Sequence, residues 1–477
     1  MPRPRPSDSI RTIIEGTVSN TKVEAISIIP TKRLLRAFKV KLADERTLLL
    51  NLSPPTSRLL RSEQWLLESE AALIRWLLED SSQQRNNETP YLDDEISGKS
   101  SPRGTPLGRW SGQPALDSVS SPREQLASYL PTMIRHSTNA MGNSLAFNLL
   151  GLVSGDPIST LGKPLTPVER EHVDFQKGRL MRRIANITSP NGKFGPVVTV
   201  LGKPRAPEST QTPAREIGLD CDGADSWRKT FHLLLEGVLR DGEDLAVTMS
   251  YELVRTTFHK FGHLLDAITM PRLVACNVDE DDVVLVSRPE EPSKRQGQKE
   301  MEASKSLEIK LEPDEHPDDK QLDEDGSTAF EITGLRDWSN CIFGDPLFAT
   351  VFSHATPDFE RGFREPLEPH AVKREDKKST EDNEQQTIDI IEDPDNSSTR
   401  ILLYECYHAT VSIVRQFYRP DANSSEREIA ARRRLVAALA KLENIDVGES
   451  TNKRPRKLSN EDWPVKRPRG DTPIEAE

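Results

Sequence analysis

Apolar and polar residues alternate along the first part of the chain. The runs VEAISII, FKVKL and TLLLNL lie between residues 20 and 52, with a turn over residues 43–45 before the last run. Alternation of period two is typical of strands with one buried face, so these runs predict a small sheet that ends in a hairpin. After Pro54 and Pro55 the apolar spacing changes to three and four over residues 59–79, which predicts one long helix.

Further along, two short motifs predict where helices begin. Thr166 and Glu169 can form a capping box with Pro167 in the first turn, and Ser425 and Glu428 can form a second box. An apolar run followed by Gly-Asp-Pro at 155–157 predicts a strand and a hinge. The strand is predicted over residues 145–153, and the other helices over residues 226–240, 251–268, 399–417 and 425–443.

The composition divides the chain into folded segments and inserts. Of 477 residues, 35% are hydrophobic and 35 residues are proline, which predicts that part of the chain is unfolded. Stretches rich in serine, proline and charge predict disorder over residues 1–19, 81–124, 289–326, 364–398 and 446–477. The predicted folded segments are residues 20–80, 125–288, 327–363 and 399–445.

Charge and cysteine content narrow the class of protein. The net charge of −12 argues against binding of nucleic acid over the whole surface. No apolar run approaches the roughly 18 to 20 residues that cross a bilayer, and the first residues lack the apolar core of a signal peptide. The four cysteines have no C-x-x-C spacing and the histidines no metal-binding pairing, so we expect reduced thiols and no zinc site in an intracellular protein.

Two central segments carry the candidate chemistry. PRLVACNVDEDDVVLV covers residues 271–286, and EITGLRDWSNCIFGDP covers residues 331–346. The second segment has an apolar run, Gly334, Asp337 followed by Trp338, and a Gly-Asp-Pro turn at 344–346. This pattern resembles the metal-binding strand of the aminoglycoside phosphotransferase family, and the long inserts suggest a diverged, fungal-type member.

The resemblance implies an α+β, bilobal protein-kinase-like fold with disordered inserts. Residues 20–80 would form the small antiparallel sheet lobe with its long helix, and the larger, mainly helical lobe would follow from residue 125. Residues 125–288 would contain the hinge and the catalytic-loop analogue, and residues 327–363 the Asp-Trp strand.

In the large lobe the resemblance assigns two metal positions and one base position. Asp337 matches the metal-binding aspartate, and Asp282 stands where a metal-binding asparagine is expected. Asn277 occupies the base position, although asparagine has no proton-accepting carboxylate. Ala275 replaces the histidine that braces this loop. Asp279, with its two acidic neighbours, could rescue the base or simply form an acidic turn.

In the small lobe the resemblance assigns a nucleotide site. Asn51 stands where a phosphate-binding lysine is expected, and Asn148 lies on the strand that frames the adenine pocket. Glu70 is the candidate for the helix glutamate that holds this lysine, with Glu68 and Glu63 as alternatives. Two lysines on the preceding strand could replace the missing cation or lie at a solvated hairpin edge; these are Lys39 and Lys41.

These assignments leave three functions open. The first is a kinase-fold protein that is weak or inactive as a phosphotransferase and binds a nucleotide or a partner. The second is an active small-molecule kinase with reorganised catalytic residues, which would need ATP and Mg²⁺. The third is a nuclear scaffold whose inserts and tail make the interactions.

The carboxyl-terminal tail has two basic clusters around a short polar spacer. They consist of Lys453, Arg454, Arg456 and Lys457, and of Lys466, Arg467 and Arg469. This spacing is typical of a bipartite nuclear localisation signal read by an import carrier. A merely solvated basic tail is the alternative, so the predicted location is nuclear or cytoplasmic.

Overall fold

The computed structural model describes residues 6–18, 21–31, 34–53, 58–86, 121–138, 146–202, 222–288, 329–367 and 390–451. These residues form an α+β fold with a small antiparallel sheet and a larger, mainly helical part. The two basic clusters of the tail lie outside the described residues, as do residues 289–326 and most of the other predicted inserts.

The main sheet has five antiparallel strands in the order β1-β2-β3-β5-β4. Their bounds are β1 Val23–Ile29, β2 Arg36–Leu42, β3 Thr47–Leu52, β4 Met133–Ser137 and β5 Phe147–Gly151. The predicted strands and the hairpin between β2 and β3 are confirmed. Pairing of β3 with β5 sets Asn51 directly opposite Asn148, which brings together two residues that are far apart in the sequence.

Helix α1 (Pro6–Glu15) lies where disorder was predicted for residues 1–19. Ile10 and Ile14, one helical turn apart, are buried with Val18 against the outer face of the sheet. Arg11 donates to the Val23 carbonyl oxygen at 2.7 Å, and Glu15 accepts from the Val23 N–H at 3.2 Å. A short apolar stripe therefore folds onto the sheet although its composition is that of an unfolded tail.

Helix α2 (Leu66–Asn86) covers the inner face of the sheet and follows a 3₁₀ turn, Arg61–Glu63. The helix was predicted over residues 59–79, so its first turn is tighter and its end later than expected. Ile74 packs on this face against Leu49 of β3 and Leu150 of β5. The helix therefore fixes its polar residue Glu70 beneath the sheet.

The remaining helices build the larger part of the fold. They are α3 Pro122–Ala127, α4 Pro167–Ala185, α5 Val197–Leu201, α6 Trp227–Asp244, α7 Tyr251–Phe261, α8 Pro357–Arg364, α9 Ser397–Tyr418 and α10 Ser424–Thr451. Short 3₁₀ helices are Ile158–Thr160, Gly262–Ala267, Pro346–Phe348, Thr350–His354 and Pro394–Asn396. None of the helices within the described ranges is long and apolar enough to cross a membrane.

One of the two predicted capping boxes is present. The Thr166 hydroxyl accepts from the Glu169 N–H, and Glu169 accepts from the Thr166 N–H, so α4 begins as predicted. The second box, predicted at Ser425 and Glu428, is not how α10 begins. That helix already starts at Ser424, so Ser425 lies inside it, and Glu428 accepts from Arg432 at 2.8 Å.

Residues 390–398 are ordered at the end of the predicted insert 364–398. Ile390 is buried, and Glu392 accepts from the backbone N–H groups of Thr269 and Met270. Arg400 donates to the carbonyl oxygens of Glu392 and Asp393. Contacts with distant residues order this polar segment, and its composition does not reveal them.

Two small antiparallel sheets hold the central segments. One has the order β10-β9-β6 and the other β7-β11-β8. Their strands are β6 Asp156–Pro157, β7 Gly195–Pro196, β8 Arg272–Ala275, β9 Val284–Ser287, β10 Glu331–Leu335 and β11 Cys341–Gly344. The loop after β8 and the turn after β10 therefore meet at one end of these sheets.

Candidate functional site

The loop between β8 and β9 and the turn between β10 and β11 form a shared recess. Asn277 of the loop and Asp337 of the turn both line it, and its cavity volume is about 10 Å³. Antiparallel pairing of β9 with β10 and of β8 with β11 brings the two segments together. Asn277, at the base position, and Asp337, at one of the two metal positions, thus share one location, whereas Asp282 does not line this recess.

Glu70 lies fully buried beneath the main sheet and accepts hydrogen bonds from two amides. Asn51 Nδ2 lies 3.2 and 3.1 Å from its two carboxylate oxygens, and Asn148 Nδ2 lies 2.7 Å from Oε2. The Trp338 backbone N–H also donates to it. Of the two alternative glutamates, Glu63 is engaged elsewhere, in a bidentate pair with Arg419.

Burial is the largest cause of a raised pKa at Glu70, which reaches about 7. The negative charge of Asp337 raises this pKa further, while the hydrogen bonds from Asn148, Asn51 and the Trp338 N–H oppose the rise. Amides donate hydrogen bonds but carry no charge, so they offset only part of the free-energy cost of burying a carboxylate. Glu70 is therefore an acid that titrates near neutral pH.

His136 on β4 extends the hydrogen-bond network of Glu70, although no local sequence pattern points to it. Asn148 Nδ2 donates to the Leu67 carbonyl oxygen at 2.9 Å as well as to Glu70. A carbonyl oxygen can only accept, so these contacts fix the orientation of the amide. Asn148 Oδ1 then faces His136 Nδ1 at 2.6 Å, and that nitrogen must carry the hydrogen. A donor chain thus runs from the sheet edge to Glu70.

The two lysines of β2 do not replace the missing cation. Lys39 and Lys41 are exposed, and Lys41 pairs with Glu24 on the neighbouring strand at 3.0 Å. This arrangement is the solvated hairpin edge, the second of the two interpretations left open by the sequence. Asn51 therefore faces Glu70 without a lysine from this hairpin.

The catalytic-loop analogue is held by polar side chains from other segments. Asn277 Oδ1 accepts from Asn340 Nδ2 at 2.9 Å. Asp279 Oδ1 lies 2.5 Å from the Thr350 hydroxyl, which also contacts the Cys276 carbonyl oxygen. These contacts hold Asn277, at the base position, and Asp279, the candidate substitute base, against neighbouring protein groups.

The third acid of the loop belongs to a separate charge cluster. Asp281 receives two hydrogen bonds from Arg170 at 2.8 and 2.9 Å and lies 3.6 Å from Lys177. Burial opposes the ionised form, but Arg170 and Lys177 outweigh it and lower the pKa of Asp281. Asp281 therefore anchors the loop to α4 as part of an acidic turn.

Asp282, the second candidate metal ligand, is paired with a guanidinium. Its Oδ2 accepts from Arg336 at 3.2 Å and from the Thr31 hydroxyl at 3.3 Å. Both charged side chains are largely buried, with 15% and 7% of their surface exposed. No local sequence pattern points to Arg336, because its partner Asp282 is distant in the chain.

Asp337 follows Arg336 at the turn into β11. Its Oδ1 accepts from the Ser339 N–H at 2.7 Å. It lines a second recess with a cavity volume of about 10 Å³, together with Thr31, Leu35, Ala37, Asn51 and Arg336. A carboxylate, an amide and a guanidinium thus meet where the resemblance places the nucleotide phosphates.

Neither ATP nor Mg²⁺ fits these residues in the present conformation. Typical small-molecule pockets hold roughly 300 to 1,000 Å³, whereas each of the two recesses has a cavity volume of about 10 Å³. Hard cations need several oxygen ligands, but one of the two expected carboxylates, Asp282, is bound to Arg336. Within the residues that the structure describes, no group of three or more His, Cys, Asp or Glu side chains could hold a metal ion.

Behind the site, Asp345 forms a fully buried polar centre. Its Oδ1 caps the next turn by accepting from the Leu347 N–H. Its Oδ2 accepts from Arg400 Nε at 2.9 Å and from the Tyr404 hydroxyl at 2.7 Å. Trp227 Nε1 in turn donates to the Tyr404 hydroxyl at 2.8 Å. These contacts fix the end of β11 against α6 and α9.

Comparisons with known proteins add two distant structural neighbours. A protein assigned as a fructosamine-3-kinase from Thermobifida fusca has 12% identity and a TM-score of 0.41 over 90% of this chain and 99% of its own. A protein assigned as an aminoglycoside phosphotransferase from Ralstonia eutropha has 10% identity and a TM-score of 0.43 over 92% and 98%. No family model and no curated protein matches the sequence. Both TM-scores lie below 0.5, so the functional assignment depends on the geometry of the site.

Proposed function

We propose that this chain is a phosphotransferase-like, kinase-fold protein whose cleft is weak or inactive in phosphoryl transfer. The observation that carries the proposal is the buried Glu70, which is held by Asn51 and Asn148 where a kinase would use a lysine.

The chemistry of phosphoryl transfer supports this assignment. A kinase needs a cation on the phosphates, oxygen ligands for magnesium and a carboxylate near the acceptor hydroxyl. Asn51 supplies no charge, and Asp282 is neutralised by Arg336. Asn277 cannot accept a proton, and loss of a general base typically costs about 10² to 10⁴ in rate. Three requirements are therefore weakened at once.

An active kinase with reorganised residues is the second candidate. It is favoured by the shared recess of Asn277 and Asp337, which keeps the base position and one metal position of a kinase together. Asp279, two residues beyond Asn277, could serve as the base if its contact with Thr350 opened. This candidate requires ATP as the phosphoryl donor and Mg²⁺ as a cofactor in a rearranged cleft.

A phosphotransfer assay separates the two candidates. The full-length chain would be incubated with [γ-³²P]ATP, Mg²⁺ and a panel of sugars, aminoglycosides and proteins, with ATP hydrolysis measured in parallel. We expect no turnover above background. Turnover that is lost in Asp337→Ala but kept in Asp266→Ala, an exposed carboxylate paired with Arg228, would refute the proposal and favour the active kinase.

The cellular location is a separate part of the proposal. The paired basic clusters support recognition by a nuclear import carrier through charge and extended backbone. A fluorescent reporter that carries residues 450–477 should accumulate in the nucleus, and replacement of Lys453 and Arg454 by alanine should abolish the accumulation. A reporter that stays cytoplasmic would remove the nuclear assignment.

A further inference from the structure

Helix α10 has two opposite faces, and the described chain covers one of them. The covered face packs against α9 through buried apolar side chains, which are Ala431, Leu435, Ala438, Leu439 and Leu442. Ile429 and Val436 lie outside this face and are 51% and 65% exposed. A surface helix usually buries its apolar residues on one side only, so the exposed pair marks a second face of α10.

The exposed residues of this second face follow the spacing of a helix–helix contact. They recur at alternating intervals of four and three residues, at Ile429, Arg433, Val436, Ala440 and Glu443. This is the spacing of the seam along which one helix packs against another. These five residues are called the α10 stripe below.

The charges of the α10 stripe lack partners within the described chain. The preceding arginine, Arg432, pairs with Glu428 at 2.8 Å on the same helix. Arg433 and Glu443, by contrast, make no ion pair or hydrogen bond with any other residue that the structure describes. The stripe therefore presents an unpaired positive charge in its first half and an unpaired negative charge at its end.

This order of charges is complementary to itself when two copies of α10 run antiparallel. A two-fold axis at the level of residue 438 sets Arg433 opposite Glu443 and Val436 opposite Ala440, because the members of each pair are equally distant from that residue. A two-fold contact uses the same patch on both copies, so each of these pairs forms twice. A parallel arrangement would set Arg433 opposite Arg433, where like charges repel.

We infer that the α10 stripe is the interface of an antiparallel homodimer of this chain. The inference goes beyond the proposed function and is independent of it, since no residue of the stripe lines the two recesses or contacts Glu70. Helices as short as the stripe pair poorly in isolation. Packing against α9 already orders α10, which lowers the entropic cost of association.

The predicted dimer is weak. One pair of helices with a stripe of this length covers less than the roughly 1,200 Å² of a stable interface. We therefore expect a dissociation constant on the order of 10 to 100 µM, with monomer and dimer in exchange.

Sedimentation equilibrium of the full-length chain, over a concentration range that reaches about 500 µM, tests the inference. Arg433→Glu and Glu443→Arg each set like charges opposite one another twice. Each should raise the dissociation constant at least about tenfold. The double variant Arg433→Glu/Glu443→Arg restores both pairs and should dimerise as the wild type does. An equimolar mixture of the two single variants should form heterodimers for the same reason.

Ile28→Glu is the matched control. Ile28 is exposed on β1, the edge strand of the main sheet, so this substitution adds a charge to a different exposed apolar position. It should leave the dissociation constant unchanged.

Four outcomes would overturn the inference. They are a wild type that stays monomeric at about 500 µM, a dimer that survives both single charge reversals, a double variant that does not regain dimerisation, and a dimer that is lost in Ile28→Glu. The last result would place the interface on the edge of the main sheet. The first needs no variant, so it decides the question even if a substituted chain fails to fold.

Discussion

Asp345 and Glu70 are both fully buried carboxylates, but their partners differ. Asp345 receives the guanidinium of Arg400 and the hydroxyl of Tyr404. Glu70 receives the amides of Asn51 and Asn148 and no charged donor among these contacts. One carboxylate is therefore balanced by charge and the other only by dipoles.

The difference separates a structural acid from an acid of the cleft. Burial raises the pKa of Asp345, but Arg400, Tyr404 and the Leu347 N–H all oppose the rise. At Glu70 a second carboxylate, Asp337, adds to the effect of burial. Burial of a charge without a cation lowers stability. Because Glu70 is nevertheless buried beside Asp337, this part of the candidate site is not optimised for stability.

Loss of Arg400 should have the largest effect on folding. Arg400→Met would leave Asp345 as a buried, uncompensated charge and should lower the free energy of unfolding by about 3 to 5 kcal/mol. Urea denaturation followed by circular dichroism measures this change. Arg364→Met, which removes an exposed pair with Glu360, is the control and should change stability by less than about 1 kcal/mol. A loss below about 1 kcal/mol for Arg400→Met would contradict the role given to Asp345.

The pH dependence of stability should reveal Glu70. Its pKa is about 7 in the folded chain and 4.5 as an ordinary glutamate, so the folded state binds more protons between these pH values. The free energy of unfolding should therefore fall as pH rises from about 4.5 to 7, by about 3 kcal/mol from this residue, and then level off.

Glu70→Gln isolates this contribution. The difference in unfolding free energy between wild type and Glu70→Gln should change across the window from pH 4.5 to 7. A constant difference would show that burial does not raise the pKa of Glu70.

Removal of the Tyr404 hydroxyl should have an intermediate effect. Tyr404→Phe removes a hydrogen bond to Asp345 and leaves Trp227 Nε1 without its acceptor. We expect a loss of about 2 kcal/mol, since hydrogen bonds to charged groups contribute about 1.5 to 3 kcal/mol. Thermal or urea unfolding checks the value. A neutral substitution would mean that the guanidinium alone satisfies Asp345.

Introduction of a lysine at position 51 should have the smallest effect. Asn51→Lys gives Glu70 the cation that it lacks and should lower its pKa by at least about one unit, or about 1.4 kcal/mol. The pH profile of stability measures this shift, with Asn51→Met as a control of similar length without charge. Equal profiles for the two variants would show that position 51 does not set the charge state of Glu70.

Local patterns predicted much of the fold. Period-two runs identified β1 to β3, and the Thr166 capping box identified the start of α4. The turn at Asp345 could also be predicted, since its cap involves a residue only two positions away. Such features depend on neighbours in the sequence, so a pattern contains them. The short amphipathic helix α1 was missed because its apolar stripe is stable only against the sheet.

The partners within the candidate site could not be predicted in the same way. Thr31 and Asp282 are 251 residues apart, and Asn148 and Glu70 are 78 residues apart. Their contacts follow from strand pairing and from the placement of α2, which no local motif encodes. The sequence therefore indicated unusual residues at positions 51, 277 and 282 but not His136 and Arg336, which complete their networks.

In this account, the polar groups of the cleft are occupied by partners within the protein. Calorimetric titration of the full-length wild type with ATP and Mg²⁺ tests this occupancy most directly. We predict no saturable heat at millimolar ATP and no gain in thermal stability. The account would be contradicted by saturable binding in the micromolar range that is lost in Asp337→Ala. Excess ligand would then also stabilise the wild type by several kcal/mol.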